Sequence, residues 1–210
     1  MTSAATRQLV LATHNAHKVA ELRRILAEAG LDGLEILDMG AFPDVPDVVE
    51  TGVTFMENAR LKAHAVAQAT GLPAVADDSG LGVDVLGGAP GVFSARWSGK
   101  HGDDVANLTL LLLQLGDVPD PHRGAWFGCA AVLALPDGRE RVAQGRLVGT
   151  LVREPRGSNG FGYDPIFVPE GLAVTSAELS PAEKDAISHR SRAFRELAPL
   201  VVELLAGATD

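Results

Sequence analysis

Residues 73–80 join a short apolar run to a cluster of acidic and small polar residues. The run is long enough only for a buried strand, and it leads directly into Asp77-Asp78-Ser79-Gly80. The sequence predicts that this strand, residues 74–76, ends at the two carboxylates and that a further strand follows at about residues 81–85. Carboxylates held at the end of a core strand are hard oxygen ligands on a rigid frame, which suits a cation such as Mg²⁺. The alternative is a turn in which the carboxylates accept hydrogen bonds from the following backbone N–H groups.

Strands and helices alternate along the rest of the chain. The patterns predict strands at residues 8–12, 34–37 and 165–168, and helices at residues 16–29, 54–70 and 103–115. Residues 125–135 and 139–152 flank Pro136-Asp137-Gly138, a turn signal that predicts an antiparallel hairpin. This order favours an α/β protein with a mixed sheet and flanking helices.

Capping residues mark the start of two of the predicted helices. Thr54 and Glu57 form a capping box at one of them, and Ser180 and Glu183 form another at the start of the C-terminal helical region. Pro199 should kink or break that region near its end.

Composition limits the classes of protein that fit this chain. The formal net charge of −9 argues against a nucleic-acid polymer as partner, because affinity there rests on Lys and Arg neutralising many phosphates. The longest strongly apolar segment, residues 108–115, is too short to span a bilayer, and residues 1–7 lack the features of a signal peptide. The single cysteine, Cys129, lies in an apolar run and is expected to be a core thiol. We therefore expect one cytoplasmic domain over residues 1–210, with neither a nucleic-acid polymer nor a membrane as partner.

A first polar segment lies where the first predicted strand gives way to the first helix. It consists of Thr13, His14, Asn15, Ala16, His17 and Lys18. A helix N-terminus exposes backbone N–H groups at the positive end of its dipole, which suits phosphate, and Lys18 can reach an anion bound there. The alternative is simple capping by Thr13 or Asn15 beside a solvated lysine. His14 and His17 make no recognised metal-ligand spacing.

A second polar segment is Glu50-Thr51-Gly52 with the helix that follows it. Thr54, Asn58 and Lys62 recur at steps of four residues, so they share one face of that helix. Glu50 would be a second acidic ligand if its loop folds toward Asp78. The alternative is a polar face that only meets solvent.

A glycine-rich loop occupies residues 157–164. Its glycines permit close backbone approach to a flat ligand, and Phe161 and Tyr163 can stack on a base. Such a loop often only links strands, so the pattern alone leaves both interpretations open.

A basic segment follows near the C-terminus. Ser188 is expected to begin a new helix as its N-cap, which would leave His189 and Arg190 at the donor-rich end. Lys184 lies within two turns of them. The alternative is a helix with scattered basic residues.

Taken together, these motifs resemble the inosine triphosphate pyrophosphatase family. The likeness runs over about residues 9–197 and rests on Ala-Asp-Asp-Ser-Gly-Leu, Gly-Gly-Ala-Pro-Gly, Gly-Phe-Gly-Tyr-Asp-Pro-Ile-Phe and Ile-Ser-His-Arg. The resemblance implies two α/β lobes around a central cleft, a homodimer, and Mg²⁺ as cofactor. It also implies an activity: hydrolysis of non-standard purine nucleoside triphosphates (dITP, ITP and XTP) to the monophosphate and pyrophosphate, which removes them from the nucleotide pool.

The resemblance further implies a role for each matching residue. Asp78 corresponds to the metal-bound catalytic acid, Glu50 to a further acid near the metal, and Ser79 to a substrate contact; Lys62 is another candidate for substrate binding. The segment from Thr13 to Lys18 corresponds to the phosphate-binding segment, although many members carry smaller residues at His14 and His17. The pocket for base and sugar corresponds to Phe161, Gly162, Tyr163, Asp164, Lys184, His189 and Arg190.

Two other classes of function stay open at this point. One is an enzyme that cleaves other nucleotides, for example modified pyrimidines. The other is a non-catalytic nucleotide sensor. Glu50, Asp77 and Asp78 count against the sensor, because a pure binder gains little from acids beside a triphosphate.

Overall fold

The computed structural model describes residues 8–28 and 34–206. In these residues, six strands form one sheet in the order β2-β1-β3-β4-β5-β6. The strands are β1 Gln8–Leu11, β2 Glu35–Asp38, β3 Ala74–Val83, β4 Gly124–Ala134, β5 Glu140–Leu151 and β6 Phe167–Pro169. The helices are α1 Ala16–Glu28, α2 Phe55–Thr70, α3 Asp104–Gln114, α4 Pro181–Ile187 and α5 His189–Ala206.

The sheet is mixed, as the sequence predicts. β1 runs parallel to both β2 and β3, whereas β5 and β6 are antiparallel. Residues 135–139 join β4 to β5, and the Leu135 N–H donates to the Arg139 carbonyl at 2.9 Å. So short a connection permits only an antiparallel pair, which confirms the predicted hairpin. The α/β class with flanking helices is likewise confirmed.

One prediction about the central strand is wrong. β3 does not end at the carboxylates but continues through Asp77-Asp78-Ser79-Gly80 to Val83 as one strand. The alternative, a turn at the carboxylates, does not form either. Asp and Gly disfavour strands intrinsically, but tertiary contacts to the two aspartates override that preference here.

The predicted helix starts agree with the structure. Both capping boxes are formed, at Thr54 with Glu57 and at Ser180 with Glu183. Ser188 Oγ accepts a hydrogen bond from the Ser191 N–H at 3.0 Å, so Ser188 does cap α5. α5 is not broken at Pro199, because it continues to Ala206; a kink, the other effect expected of this proline, stays a prediction. The predicted end of the first helix, at residues 29 and 30, lies outside the described residues.

The chain divides into two compact units. The first comprises Met1–Asp78, Ala130–Gln144 and Arg192–Asp210, and the second comprises Ser79–Cys129 and Gly145–Ser191. The boundary in β3 therefore falls between Asp78 and Ser79. The central cleft that the resemblance implies stays a prediction.

Each unit has its own apolar core. In the first unit, buried alanines of α2 such as Ala59 and Ala63 belong to one apolar cluster with buried residues of β1, β3 and β4. In the second unit, Leu108 and Leu111 of α3 belong to the core cluster. Cys129 is buried, as expected. Among the described residues, no helix is both long and apolar enough to cross a membrane.

Candidate active site

The start of α1 is built by side-chain caps. The Thr13 hydroxyl accepts from the Asn15 N–H at 3.2 Å, and the Asn15 side-chain oxygen accepts from the Lys18 N–H at 3.2 Å. Asn15 is therefore the N-cap, and α1 begins at Ala16. This arrangement sets Lys18 in the first turn of the helix, where the sequence places a phosphate ligand.

Lys18 faces a buried carboxylate of the same unit. Its Nζ lies 3.1 Å from Asp77 Oδ2, and the Asp77 side chain has no exposed surface. His14 lies apart from this pair, because it is exposed and its Nε2 is 3.1 Å from Asp47 Oδ1. The His17 side chain lies outside the described residues.

The polar face of α2 is directed at Asp78. Asn58 Nδ2 donates to Asp78 Oδ2 at 3.1 Å, and Lys62 Nζ lies 3.5 Å from Asp78 Oδ1. Lys62 Nζ also lies 2.7 Å from Glu50 Oε1. The loop that carries Glu50 therefore does fold toward Asp78, and one ammonium joins the two acids.

Strand geometry explains how two adjacent acids coexist. Successive side chains of a strand point to opposite faces, so Asp77 meets α1 through Lys18 while Asp78 meets α2 through Asn58 and Lys62. Each carboxylate thus has its own lysine. The repulsion expected between neighbouring carboxylates is offset by these two cations.

The ionisation of this cluster follows from burial and charge. Burial raises the pKa of Asp78 above its ordinary value, even though Lys62 and Lys18 act in the opposite direction. Burial alone would lower the pKa of Lys62, but Asp78, Asp77 and Glu50 together raise it. The three acids therefore stabilise the cationic form of Lys62, whereas burial disfavours the ionised form of Asp78.

The same cluster fits a divalent cation of the Mg²⁺ type. Among the described residues, no three side chains of His, Cys, Asp or Glu gather into a complete metal-ligand set. What the structure offers is two carboxylates, Glu50 and Asp78, that already share one positive charge. Mg²⁺ is commonly bound by one or two carboxylates together with substrate phosphates, so Glu50 and Asp78 are the candidate ligands for it.

A second group of predicted residues gathers in the second unit. Asp164 is buried; it accepts from the Phe161 N–H at 2.9 Å and pairs with the Lys184 ammonium. Lys184 Nζ lies 5.1 Å from the centre of the Phe161 ring, which is within cation–π range. Gly160 has a φ of +73°, and a Cβ there would collide with the Asp164 carboxylate, so the loop needs glycine at this position.

His189 and Arg190, at the start of α5, belong to the same unit. The Arg190 guanidinium donates to Ser79 Oγ at 2.8 Å and lies 5.7 Å from the centre of the Phe161 ring. The His189 ring stacks on Phe127, with centroids 4.9 Å apart and planes at 11°. Arg190 therefore contacts both Ser79 and the Phe161 ring.

The Tyr163 ring does not have the position that stacking on a base requires, and the other role implied for Tyr163, in the pocket for base and sugar, stays a prediction. Its side chain is buried in the core of the second unit, and its hydroxyl donates to the Ser94 carbonyl at 2.9 Å. Burial also raises the pKa of this phenol. The packing does not support stacking of the Tyr163 ring on a base, and Phe161, which is only partly buried, is left as the stacking candidate of the loop.

Two residues with roles at these sites were not assigned from the sequence. Asp104 Oδ2 accepts from the Gly162 N–H at 2.8 Å and so connects the glycine-rich loop to α3. Its neighbour Asp103 caps α3 by accepting from the Ala106 N–H. Because one acid is enough to cap the helix, the pair Asp103-Asp104 is a sequence signal that the second acid has another contact. The other is Asn58, which the sequence places only on a polar face.

The fold and two clusters define the class of this protein. It is an α/β protein with an acid–lysine centre in one unit and a cation–aromatic cluster in the other. The acid–lysine centre consists of Asp77, Asp78, Lys18 and Lys62, and the cation–aromatic cluster consists of Phe161, Lys184 and Arg190. The sequence matches the Ham1 family over residues 9–200. The chain therefore belongs to the Ham1 family, and the predicted resemblance to inosine triphosphate pyrophosphatases is confirmed.

Individual relatives agree closely with this chain. It is 68% identical to the dITP/XTP pyrophosphatase of Streptomyces avermitilis over 198 residues, which cover 94% of this chain and 98% of the relative. It is 56% identical to the Mycobacterium tuberculosis dITP/XTP pyrophosphatase over 200 residues, covering 95% of this chain and 98% of the relative.

Solved structures show the same fold. The Mycobacterium abscessus nucleoside-triphosphatase or dITP/XTP pyrophosphatase is 52% identical, with a TM-score of 0.75 over 92% of this chain and 99% of that one. The HAM1 protein of Coxiella burnetii is 42% identical, with a TM-score of 0.84 over 94% of this chain and 100% of that one.

Proposed function

We propose that this protein hydrolyses non-standard purine nucleoside triphosphates, namely dITP, ITP and XTP, to the monophosphate and pyrophosphate. The observation that carries the proposal is the buried Asp78 carboxylate, joined to Glu50 through the Lys62 ammonium. The relatives that are called dITP/XTP pyrophosphatases, at 54–68% identity, support the substrate class.

The first unit supplies the groups for the phosphates. Lys18 and the N–H groups at the start of α1 are cations and donors that suit the triphosphate tail. Glu50 and Asp78 are the residues that would hold Mg²⁺. When bound, that ion would neutralise charge on the phosphate oxygens.

Asp78 is also the candidate general base. Its carboxylate is held in place by the Asn58 amide and the Lys62 ammonium, and a general base must be positioned in this way. It would accept a proton from the attacking water as the bond between the nucleoside monophosphate and pyrophosphate breaks. Lys62 lies beside both acids as a cation. It therefore offsets their negative charge while the proton moves from the water to Asp78.

The second unit supplies the groups for the base. Phe161 offers an aromatic face, and Lys184, His189 and Arg190 offer hydrogen-bond donors. Lys and Arg can only donate, so they match the O6 acceptor of hypoxanthine or xanthine. The N6 amino group of adenine presents hydrogens and would leave those donors unsatisfied.

Selectivity among nucleotides tests this proposal. Purified protein with Mg²⁺ is given dITP, ITP, XTP, GTP, ATP and a modified pyrimidine triphosphate, and pyrophosphate release is followed. We expect kcat/KM for ITP to exceed that for ATP by about 10⁴–10⁵, because a site built around a hydrogen bond leaves buried donors unpaired when the acceptor is missing. GTP shares O6 and should be a better substrate than ATP.

Each alternative predicts a different result in the same panel. Equal kcat/KM for ITP and ATP would show that the second cluster does not select the base. A preference for the pyrimidine would indicate the other class of nucleotide-cleaving enzyme. Binding of dITP without release of pyrophosphate would indicate a sensor.

A further inference from the structure

Asn58 joins the candidate catalytic acid to the loop that carries Glu50. It is the fourth residue of α2 and is completely buried. Its Nδ2 donates to Asp78 Oδ2 at 3.1 Å, and its Oδ1 accepts from the Gly52 N–H at 2.8 Å. All three residues belong to the first unit.

The chemistry of its two partners fixes the orientation of the Asn58 amide. The Gly52 N–H can only donate, so the atom facing it must be the amide oxygen; the amide NH₂ must then face the Asp78 carboxylate. Asp at position 58 would supply two acceptors, and an apolar residue would supply neither group. Asparagine satisfies both partners with a single planar group.

Asn58 and Lys62 each contact a different oxygen of the Asp78 carboxylate. Asn58 donates to Oδ2, and Lys62 Nζ lies 3.5 Å from Oδ1. Two different donors on one helix face therefore define the plane of the carboxylate. A catalytic carboxylate needs such fixation, because small errors in orientation are costly to the rate.

The loop that carries Glu50 and Gly52 packs closely against α2. A Cβ added at Gly52 would lie 2.7 Å from Asn58 Oδ1 and 2.6 Å from Glu57 Cβ, so no side chain fits there. Glu50, two residues earlier, reaches Lys62 from this loop. The position of Glu50 thus depends on the contact between Gly52 and Asn58.

A matched asparagine lies elsewhere in the chain. Asn107 is the fourth residue of α3 and is 1% exposed, and its Oδ1 accepts from the Ser98 N–H at 2.7 Å. Its Nδ2 donates to the Ala95 carbonyl at 3.2 Å. Asn107 therefore has the helix position, burial and loop contact of Asn58, but its donor meets a backbone carbonyl instead of a carboxylate.

From this contrast we infer that Asn58 is a positioning residue: it orients the Asp78 carboxylate and fixes the Glu50 loop for the same reaction. The inference rests on the proposed function, in which Asp78 and Glu50 act on the triphosphate. Asn107, by the same comparison, only holds a loop.

Variants at both positions test the inference. Asn58→Ala removes both hydrogen bonds, whereas Asn58→Asp keeps an acceptor for Gly52 and replaces the donor to Asp78; Asn107→Ala and Asn107→Asp are the controls. We expect both Asn58 variants to lower kcat for dITP by about 10–100-fold with KM little changed, as for residues that orient a catalytic ligand. The Asn107 variants should lose thermal stability while keeping kcat near that of the wild type below their melting temperatures.

Amide hydrogen exchange gives a readout that does not need activity. The Gly52 amide should exchange slowly in the wild type, slowly in Asn58→Asp, and quickly in Asn58→Ala. If the wild type hydrolyses none of the triphosphates, the proposed function fails, but the exchange result still reports the contact between Gly52 and Asn58.

Three results would overturn the inference. One is kcat near the wild-type value in Asn58→Asp. Another is an equal fall in kcat in the Asn58 and Asn107 variants, which would show a purely structural effect. The third needs no variant: a Gly52 amide that exchanges in the wild type as fast as an open loop would exclude the contact, even if Asn58→Ala does not fold.

Discussion

The assignment of one lysine to each of two adjacent aspartates is the central feature at the residue scale. Asp77 pairs with Lys18 and Asp78 with Lys62, on opposite faces of β3. The two acids can therefore carry different functions although they are neighbours in sequence. Asp77 holds the lysine proposed for the phosphates, and Asp78 is the proposed base.

Substitution of each acid by its amide separates these functions. Asp78→Asn should lower kcat for dITP by about 10²–10⁴-fold, the usual contribution of a positioned base. Asp77→Asn should act mainly on KM, because Lys18 loses the partner that holds it toward the triphosphate. Steady-state kinetics of both variants at saturating Mg²⁺ check this contrast. A kcat within about tenfold of the wild type in Asp78→Asn would remove Asp78 from the catalytic role.

The stability of Asp78→Asn provides the control for folding. Because burial raises the folded-state pKa of Asp78, ionising it costs stability, and the cost is present at neutral pH and disappears as pH falls below the ordinary carboxyl range. Asp78→Asn removes this cost, but its new amide must turn NH₂ toward either Asn58 Nδ2 or Lys62 Nζ, both of which donate, so its melting temperature at pH 7 is measured beside its kcat. A large fall in its melting temperature would mean that lost activity reflects unfolding.

At the scale of the elements, β3 shows what sequence reasoning can and cannot reach. Apolar periodicity and caps predicted most helices and strands to within about two residues, because those signals are local. The continuation of β3 through Asp77 and Asp78 was not predictable, since it depends on Lys18 and Lys62, which are distant in the chain. The polar face of α2 was visible as a spacing, but its contact with Asp78 was not. The burial of Tyr163 was missed for the same reason, because its partner Ser94 is remote in sequence.

A surface ion-pair cluster links α2 to β5 within the first unit. Arg60 Nε and His64 Nε2 both lie 2.9 Å from Glu140 oxygens. Burial alone would raise the pKa of Glu140, but the hydrogen bonds from His64 and Arg60 outweigh it and lower the pKa below the ordinary 4.5. A depressed carboxyl pKa means that the stabilisation is present above the unfolded-state value and is lost as pH falls through the folded-state value.

Removing this carboxylate should therefore flatten the acid side of the stability profile. Glu140→Gln should cost about 1 kcal/mol or less at pH 7, since the cluster is partly exposed, and the difference from the wild type should shrink as pH falls below about 4.5. Urea unfolding between pH 3 and pH 7 measures it. Glu203→Gln, whose side chain is 65% exposed and pairs with Arg141, is the control and should change the profile little. A constant difference between Glu140→Gln and the wild type at all pH values would contradict the linkage.

At the scale of the whole molecule, the two units divide the proposed work. The acid–lysine centre lies in the first unit and the cation–aromatic cluster in the second. In the sequence, the two sets of residues are separate motifs. They are assigned to one reaction because the family resemblance implies it. Assembly into a homodimer, which the resemblance also implies, stays a prediction.

The segment at residues 87–97 offers a specific test of that assembly. Trp97 packs against the core of the second unit, and its Nε1 donates to Gln114, so it is not a surface anchor. Phe93 is different, because it is 53% exposed and has the Arg96 guanidinium 5.5 Å from its ring centre. An exposed aromatic ring beside an arginine has the composition of an interface anchor.

We therefore expect a dimer at micromolar concentration that depends on Phe93. Phe93→Glu should weaken the dimer at least about tenfold in Kd, because a charge would be buried in place of an aromatic ring. Val202→Glu is the matched control: Val202 is 51% exposed on α5, outside the segment at residues 87–97, and its substitution should leave the association unchanged. Light scattering across a dilution series distinguishes the outcomes. A monomeric wild type would refute the dimer itself, whereas a dimer that resists Phe93→Glu would show that its interface does not include this ring.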